Sequence, residues 1–388
     1  MSENKKLTPK IRFKGFTEDW EQRKLNNMCS IITKQTGFDY SATIKPSLVE
    51  HKIPNSYSFI QNKDFEGLNI NLNTDFYIPK NIADQFPKIT LDTPSLLISI
   101  SGKIGNIGLY SLKNKAFIGG AVGICKLLNP DDGIISTYEL ESDYGQKYFQ
   151  SLIKASSHAN ITVEDIRNIE LILPKDNKER SNISKFLLNI DNLITLHQRK
   201  YDKLVKIKSS LLEKMFPKNS SKIPEVRFKG FTEDWEQRKL DDICNRYDNL
   251  RVPVAANERI PGSTPYYGAN GIQDYVKGHT HDGEFVLVAE DGANDLKNYP
   301  VQYVNGLFWA NNHVHVIQAK DKIASNKYLK YAISQTNIEP LLVGGGRAKL
   351  NANIMMDIPI NTPGNIEEQN ILGTFINEID NLITLHQR

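Results

Sequence analysis

Two histidine pairs are the first residues whose spacing suits chemistry. His279 and His281 form one HxH, His313 and His315 another. In an extended chain alternate residues share a sheet face, so each pair presents two imidazoles to one side, and two such pairs facing one another across strands offer donors for zinc. The competing reading is polar surface or core histidines, and the first half of the chain has no counterpart. A glycine run, Gly344-Gly345-Gly346, presents Arg347 and Lys349. Cations on a flexible loop suit phosphate contact or bidentate readout of a guanine edge, and a mobile surface loop is the alternative. Residues 156–162 (SSHANIT) hold the comparable place earlier in the chain and are polar but uncharged. Lys103, Asn106, Asn294 and Lys297 are further candidates for nucleic-acid contact, from polar stretches that follow apolar runs.

Catalytic chemistry finds no such foothold. A DNA adenine methyltransferase needs a glycine-rich cofactor loop and an Asn/Asp-Pro-Pro-aromatic box for the flipped base; Asn129-Pro130-Asp131-Asp132 is the nearest approach and fails. The glycines of residues 102–108 (GKIGNIG) fit neither GxGxxG nor the phosphate loop and read as turn glycines. Glu290-Asp291 with Lys297 is too loose for a metal-dependent nuclease. Thus no catalytic residue and no metal ligand set is assigned. Cys29, Cys125 and Cys244 are odd in number and far apart, which excludes a disulfide framework and a CxxC zinc pair and reads as buried thiols. No apolar run approaches the ~20 residues of a membrane span, and the opening MSENKKLTPK lacks the apolar core of a signal peptide, so a folded cytoplasmic protein is expected.

What must position these residues is a duplicated scaffold. Residues 9–25 (PKIRFKGFTEDWEQRKL) return at 224–240 (PEVRFKGFTEDWEQRKL), 15 of 17 positions agreeing, and residues 190–199 (IDNLITLHQR) return unchanged at 379–388. The offsets, 215 and 189, far exceed a solenoid period, so the repeated unit is a whole domain followed by a connector. The interiors between these boundaries share almost no identity, yet each predicts a β-rich run ending near glycine (95–102 and 284–292), a second run (116–128 and 307–318) and a helix (138–155 and 326–336). In the box itself, Thr17 and Thr232 are placed to cap a short helix, and Phe13, Phe16 and Trp20 read as core anchors.

The connector is basic. Residues 175–222 hold 12 Lys/Arg against 5 Asp/Glu within a chain whose net charge is +3. Ile183, Leu187, Ile190, Ile194 and Leu204 fall on one heptad stripe, and the second copy repeats it with Ile379, Leu382 and Ile383. The spacing predicts a helix over 176–216, roughly 60 Å long, between Pro174 and Pro217. Two copies of one helix, each leaving one copy of one domain, pack about a pseudo-twofold axis when antiparallel. The expected fold is therefore α+β: two β-rich domains (1–174 and 218–363) in tandem, separated by antiparallel coiled-coil helices (175–217 and a shorter 364–388). A spacer of that length matches one to two turns of duplex DNA at ~34 Å per turn.

These features resemble the specificity subunits of type I restriction-modification systems. The likeness rests on the RFKGFTEDWEQRKL box present twice, and on each domain ending in a short strand, a proline and a long helix: 166–174 (IRNIELILP) before Glu179, and 355–363 (MMDIPINTP) before Glu368 and Gln369. The resemblance implies two target recognition domains, each reading half of a bipartite DNA sequence, on a subunit without catalysis of its own. It implies docking of two modification (adenine methyltransferase) subunits, which recruit restriction subunits, with S-adenosylmethionine, ATP and magnesium bound by those partners. Two departures stand out: Arg180 replaces the glutamine of the Glu-Gln pair, and the second helix stops at Arg388 where the first continues through residues 200–216. The stop is expected to leave Ile183, Phe186, Leu187 and Ile190 without an intramolecular partner, so that this stretch receives another subunit or depends on the complex for stability.

Overall fold

A computed structural model describes residues 8–111, 114–155, 160–218, 221–344 and 348–387 of the chain, and its packing divides into two units, residues 1–192 and 193–388. The first unit is built on two four-stranded sheets. One runs Tyr77–Pro79, Ser56–Ile60, Ala116–Ile118, Thr90–Leu91; the other runs Cys29–Lys34, Val122–Leu127, Ser95–Ser99, Ile107–Tyr110. Ser95–Ser99 and Val122–Leu127 are buried along their whole length, which is why their sequences read as continuous apolar runs. Leu96, Ile98 and Cys125 point into one core while Leu97 and Ile124 point into the other, the two-residue period dividing one strand between two cores.

Two elements differ from the expectation. The run 116–128 splits after Ile118, and its halves enter different sheets. Gly119 makes the crossing, where a Cβ would sit 3.1 Å from the Ile60 carbonyl. The helix expected over 138–155 is two helices, α1 (Asp132–Glu141) and α2 (Asp143–Ala155), broken at an extended Ser142. The corner needs Gly145, whose Cβ would lie 2.5 Å from the Leu140 carbonyl oxygen.

The second unit has a single six-stranded sheet, in the order Cys244–Arg246, Val314–Ala319, His281–Ala289, Val301–Ala310, Pro261–Gly268, Gly271–Val276. Its central strands also divide by alternation, Val286 and Val288 facing one core and Phe285 and Leu287 the other. The short helix Asn326–Ser334 covers one face.

Each unit carries the same closing device. The EQRK of the box forms a strand, Glu21–Lys24 or Glu236–Lys239, that pairs antiparallel with the strand before the proline, Glu170–Leu173 or Pro359–Thr362. After the prolines come α3 (Asn177–Met215), 39 residues and about 58 Å of helix, and, beyond the covering helix α4 (Asn326–Ser334), α5 (Ile366–Gln387). The sequence bounds of the connector helix thus hold to within one residue at each end. Within the second unit, α5 runs antiparallel to the later part of α3: His197 Nδ1 meets His386 Nδ1 at 2.9 Å, and Lys208 Nζ meets Asp380 Oδ1 at 2.6 Å. Among the described residues no helix is long and apolar enough to cross a membrane.

Candidate nucleic-acid interface

The repeated box positions everything else, and it does so through a buried ion pair. Arg12 donates from Nε and Nη2 to the two carboxylate oxygens of Glu179 at 2.6 and 2.7 Å, and from Nη2 to the Glu18 carbonyl at 2.7 Å, while Trp20 Nε1 donates to Glu179 at 3.4 Å. In the second copy Arg227 makes the same fork to Glu368 at 2.7 and 2.8 Å and reaches the Glu233 carbonyl at 2.8 Å, with Trp235 Nε1 at 3.3 Å. The bidentate geometry fixes direction as well as distance. Each glutamate lies in the first turn of its long helix, where a carboxylate also meets the positive end of the helix dipole. The segments after Thr17 and Thr232 are therefore not helices: both are held irregular as they lead into Trp20 and Trp235.

The residue after each glutamate explains the departure at Arg180. Gln369 Nε2 donates to the Pro363 carbonyl at 2.9 Å, and its oxygen accepts the Ser325 N–H at 3.1 Å. Arg180 performs the first task, Nη1 to the Pro174 carbonyl at 3.0 Å, and its charge is met by buried Asp132 at 3.0 Å. The arginine is matched by an aspartate on α1.

The four HxH histidines do not converge. His281 pairs in register with Phe308 and His315 with Val288, and each imidazole is committed to a different group, His281 Nε2 meeting the Tyr247 carbonyl at 3.2 Å and His315 Nδ1 the Asp248 carboxylate. His281 stacks on Phe308 with ring centroids 4.9 Å apart, and burial lowers its pKa, favouring the neutral ring. His313 Nδ1 meets Asp291 at 2.6 Å. His315 is buried between Asp248, at 2.7 Å, and the Leu350 carbonyl, at 2.8 Å. Ligand atoms of Asp248, Glu290 and His315 come within 4.8 Å of one another, but two cations already occupy this knot: Arg251 and Lys349 reach Glu290 at 2.6 and 2.7 Å. Burial works to raise the Glu290 pKa, and the hydrogen bonds from Lys349 and Arg251 outweigh it and hold the carboxyl below its usual range.

This knot gathers several residues singled out in the sequence. Lys349 sits exposed at the base of the glycine loop, its backbone hydrogen-bonded to Val343 and in a β-bridge with Asp291, its side chain on Glu290. Asn294 is exposed nearby, its N–H donating to Asn270, and Lys297 is exposed on the same loop. Arg347 lies outside the described residues. In the first unit Lys103 is exposed, 3.7 Å from Glu66. Asn106 commits its amide to the Asn62 and Phe65 carbonyls at 2.9 and 2.7 Å, and so shapes the turn that presents Lys103. One set of residues went unnoticed in the sequence: Arg259 lies over the Tyr266 ring at 4.2 Å, beside Trp309 and Lys277, in a cleft of about 180 Å³. Cations interleaved with aromatics across residues 259–309 were the available signal.

Of the helix-stripe residues, Ile379 is buried, Leu204, Ile183, Leu187 and Ile383 are half-buried, and Ile190, Ile194 and Leu382 are exposed. Phe186 is not without a partner, since Phe13 meets it edge-on at 5.8 Å.

Comparison with known proteins gives these units a family. A family model described as the type I restriction modification DNA specificity domain matches residues 17–206 and again 232–388. A Haemophilus influenzae protein carrying the name of a type I restriction enzyme specificity subunit is 46% identical over 146 residues, which is 38% of this chain and 37% of that protein's length. A Methanocaldococcus jannaschii protein named for the same role is 23% identical over 354 residues, 87% of this chain and 73% of that protein. The crystal structure of a type I restriction-modification system S subunit from M. genitalium superposes with a TM-score of 0.66 at 14% identity, covering 98% of this chain and 94% of that one, a likeness of fold. With one clasp built twice and the domain matched twice across most of its length, the chain belongs to the family of type I restriction modification DNA specificity domains.

Proposed function

We propose that this chain is the DNA sequence-reading subunit of a type I restriction-modification complex. Each unit reads one half of a bipartite target, and α3 and α5 set the spacing and dock two adenine methyltransferase subunits, which in turn bring the restriction subunits. The reading heads are residues 1–174 and 218–363, and the spacer is 175–217 with 364–388. Chemistry is left to the partners: they bind S-adenosylmethionine, ATP and magnesium in the cytoplasm and methylate adenines flipped from the duplex.

The observation that carries this reading is the pairing of an identical clasp with unlike sheets. Arg–Glu–Trp geometry repeats to within about 0.1 Å, while one unit holds two four-stranded sheets and the other a single six-stranded one. Identical edges suit identical partner subunits, and unlike interiors suit unlike half-sites. Contacts to DNA are assigned to Lys103, with Asn106 shaping its turn, and to Asn294, Lys297, Arg347 and Lys349. Lysine and arginine on phosphates fix register, and polar loop residues read base edges. The exposed Arg199, Lys203 and Lys206 face of α3 adds positive charge along the spacer.

The test is binding by the complex reconstituted with its modification subunits. Affinity falls steeply between low and moderate salt as counterions are released. Methylation or cleavage by the purified chain alone, given S-adenosylmethionine or magnesium, refutes the reading.

A further inference from the structure

Beneath their different sheet counts the two units follow one course. Cys29–Lys34, Val122–Leu127, Ser95–Ser99 and Ile107–Tyr110 lie side by side, each antiparallel to the next, and so do Cys244–Arg246, Val314–Ala319, His281–Ala289 and Val301–Ala310. Ser56–Ile60 then runs parallel to Ala116–Ile118, as Pro261–Gly268 runs parallel to Val301–Ala310. Later in each unit the chain is tied back in the same way. The Ile161 N–H donates to the Ile100 carbonyl at 3.0 Å, and the Leu350 N–H to the Glu290 carbonyl at 2.7 Å.

The turns that carry the assigned DNA contacts correspond as well. Each begins at a left-handed glycine, Gly102 at φ 73° or Gly292 at φ 71°, just beyond the strand Ser95–Ser99 or His281–Ala289. Each is held by an asparagine that stands two residues past the strand Ser56–Ile60 or Pro261–Gly268. Asn62 Nδ2 donates to the Ser101 carbonyl at 3.3 Å, and the Asn62 carbonyl accepts from Asn106 Nδ2 at 2.9 Å. Asn270 Nδ2 donates to the Gly292 carbonyl at 2.9 Å, and its Oδ1 accepts the Asn294 N–H at 2.9 Å. A carboxamide suits this task, because one short side chain offers a donor and an acceptor together. Neither asparagine belongs to the repeated segments, so the tie is a property of the turns and not of the clasp.

We propose that Asn62 and Asn270 are positioning residues for half-site reading. Each ties one turn to another, so that the exposed Lys103, or the exposed Asn294 and Lys297, meets DNA from a fixed place. The inference rests on the DNA reading above and names the side chains that hold its contacts still. A group already held in its bound place loses less affinity to ordering, and one displaced by about 1 Å misses the base edge it would bond. Asn270 and Gly292 are exposed, so in Asn270→Ala water takes up the freed groups and the fold is retained.

In the test, the complex reconstituted with its modification subunits is titrated with a duplex that the wild type selects from a random pool, and with two more in which one or the other half-site is scrambled. The affinity ratio of intact to scrambled duplex measures discrimination at each half. Asn270→Ala is expected to lower one ratio at least about fivefold and leave the other, Asn62→Ala does the reverse, and both keep the urea midpoint of the wild type. Ratios that fall together in either variant, or that do not fall at all, overturn the proposal. So does a lowered midpoint with both ratios intact, which shows a structural role alone. A wild-type complex that selects no duplex refutes the DNA reading itself, and is thereby told apart from a failure of the positioning role.

Discussion

Residues 9–25 and 224–240 are nearly the same sequence, and they end in two different environments. Around Trp235 the clasp is sealed by Phe216 and Tyr328, whereas Trp20, holding the same fork of hydrogen bonds, is only half-buried. The comparison separates two roles that a single copy would confound. The Arg–Glu–Trp geometry belongs to the box and the helix start, since it recurs in both copies although their surroundings differ. Burial of the apolar residues depends on what is laid over them.

The largest expected effect tests that separation directly. Trp235→Ala removes a sealed aromatic and is expected to cost about 3–5 kcal/mol, the usual range for a buried tryptophan. Trp20→Ala costs less than half as much, and urea melts of the two variants check the ratio. Equal costs would mean that the first copy is covered after all. Next is the matched pair Arg180 and Asp132, both buried. Arg180→Gln alone leaves a buried carboxylate unpaired, a loss of about 3 kcal/mol, whereas Arg180→Gln with Asp132→Ala copies the arrangement at Gln369 and recovers most of it. A double variant no more stable than the single would show that the two copies tie their prolines by different means.

A smaller contrast appears in pH. Burial pushes the Glu139 carboxyl in the first unit up to about 7, against the Ile172 N–H, which acts to lower it. A folded-state pKa above the unfolded value means that the native protein holds its proton more tightly. Stability is therefore greatest below about pH 4.5 and falls as pH rises toward 7, by on the order of 2–3 kcal/mol. Glu139→Gln flattens this slope in melts taken between pH 5 and 7.5, and an unchanged slope would contradict the assignment. The smallest effects are on DNA. Lys103→Ala or Lys349→Ala removes one proposed phosphate contact, lowers affinity of the complex severalfold and reduces the salt slope by about one. The loss of Lys349 also frees Glu290 from one of its two cations.

Much of the scaffold was legible because the duplication writes it twice. The connector helix, the strand before each proline and the antiparallel course of α5 along α3 all follow from local patterns or from symmetry. What local pattern could not show is the division of the first unit into two sheets, which turns on the close approach at Gly119, a contact across the sequence. The clasp was equally hidden: Arg12 and Glu179 stand 167 residues apart, and only their joint recurrence as Arg227 and Glu368 marks them as partners. The HxH pairs misled for the opposite reason. Alternation presumed strands that do not form there: His279 lies before the strand that begins at His281, and His313 lies in the turn before Val314.

The central claim is that unlike interiors on identical clasps read unlike half-sites. It is tested most directly by selecting bound DNA from a random duplex pool with the reconstituted complex, once with this chain and once with residues 241–378 exchanged for another such domain. The account predicts two short motifs at a fixed separation, of which the exchange alters one and leaves the other and the spacing unchanged. Enrichment of a single motif, or a change in both halves on exchange, would contradict it.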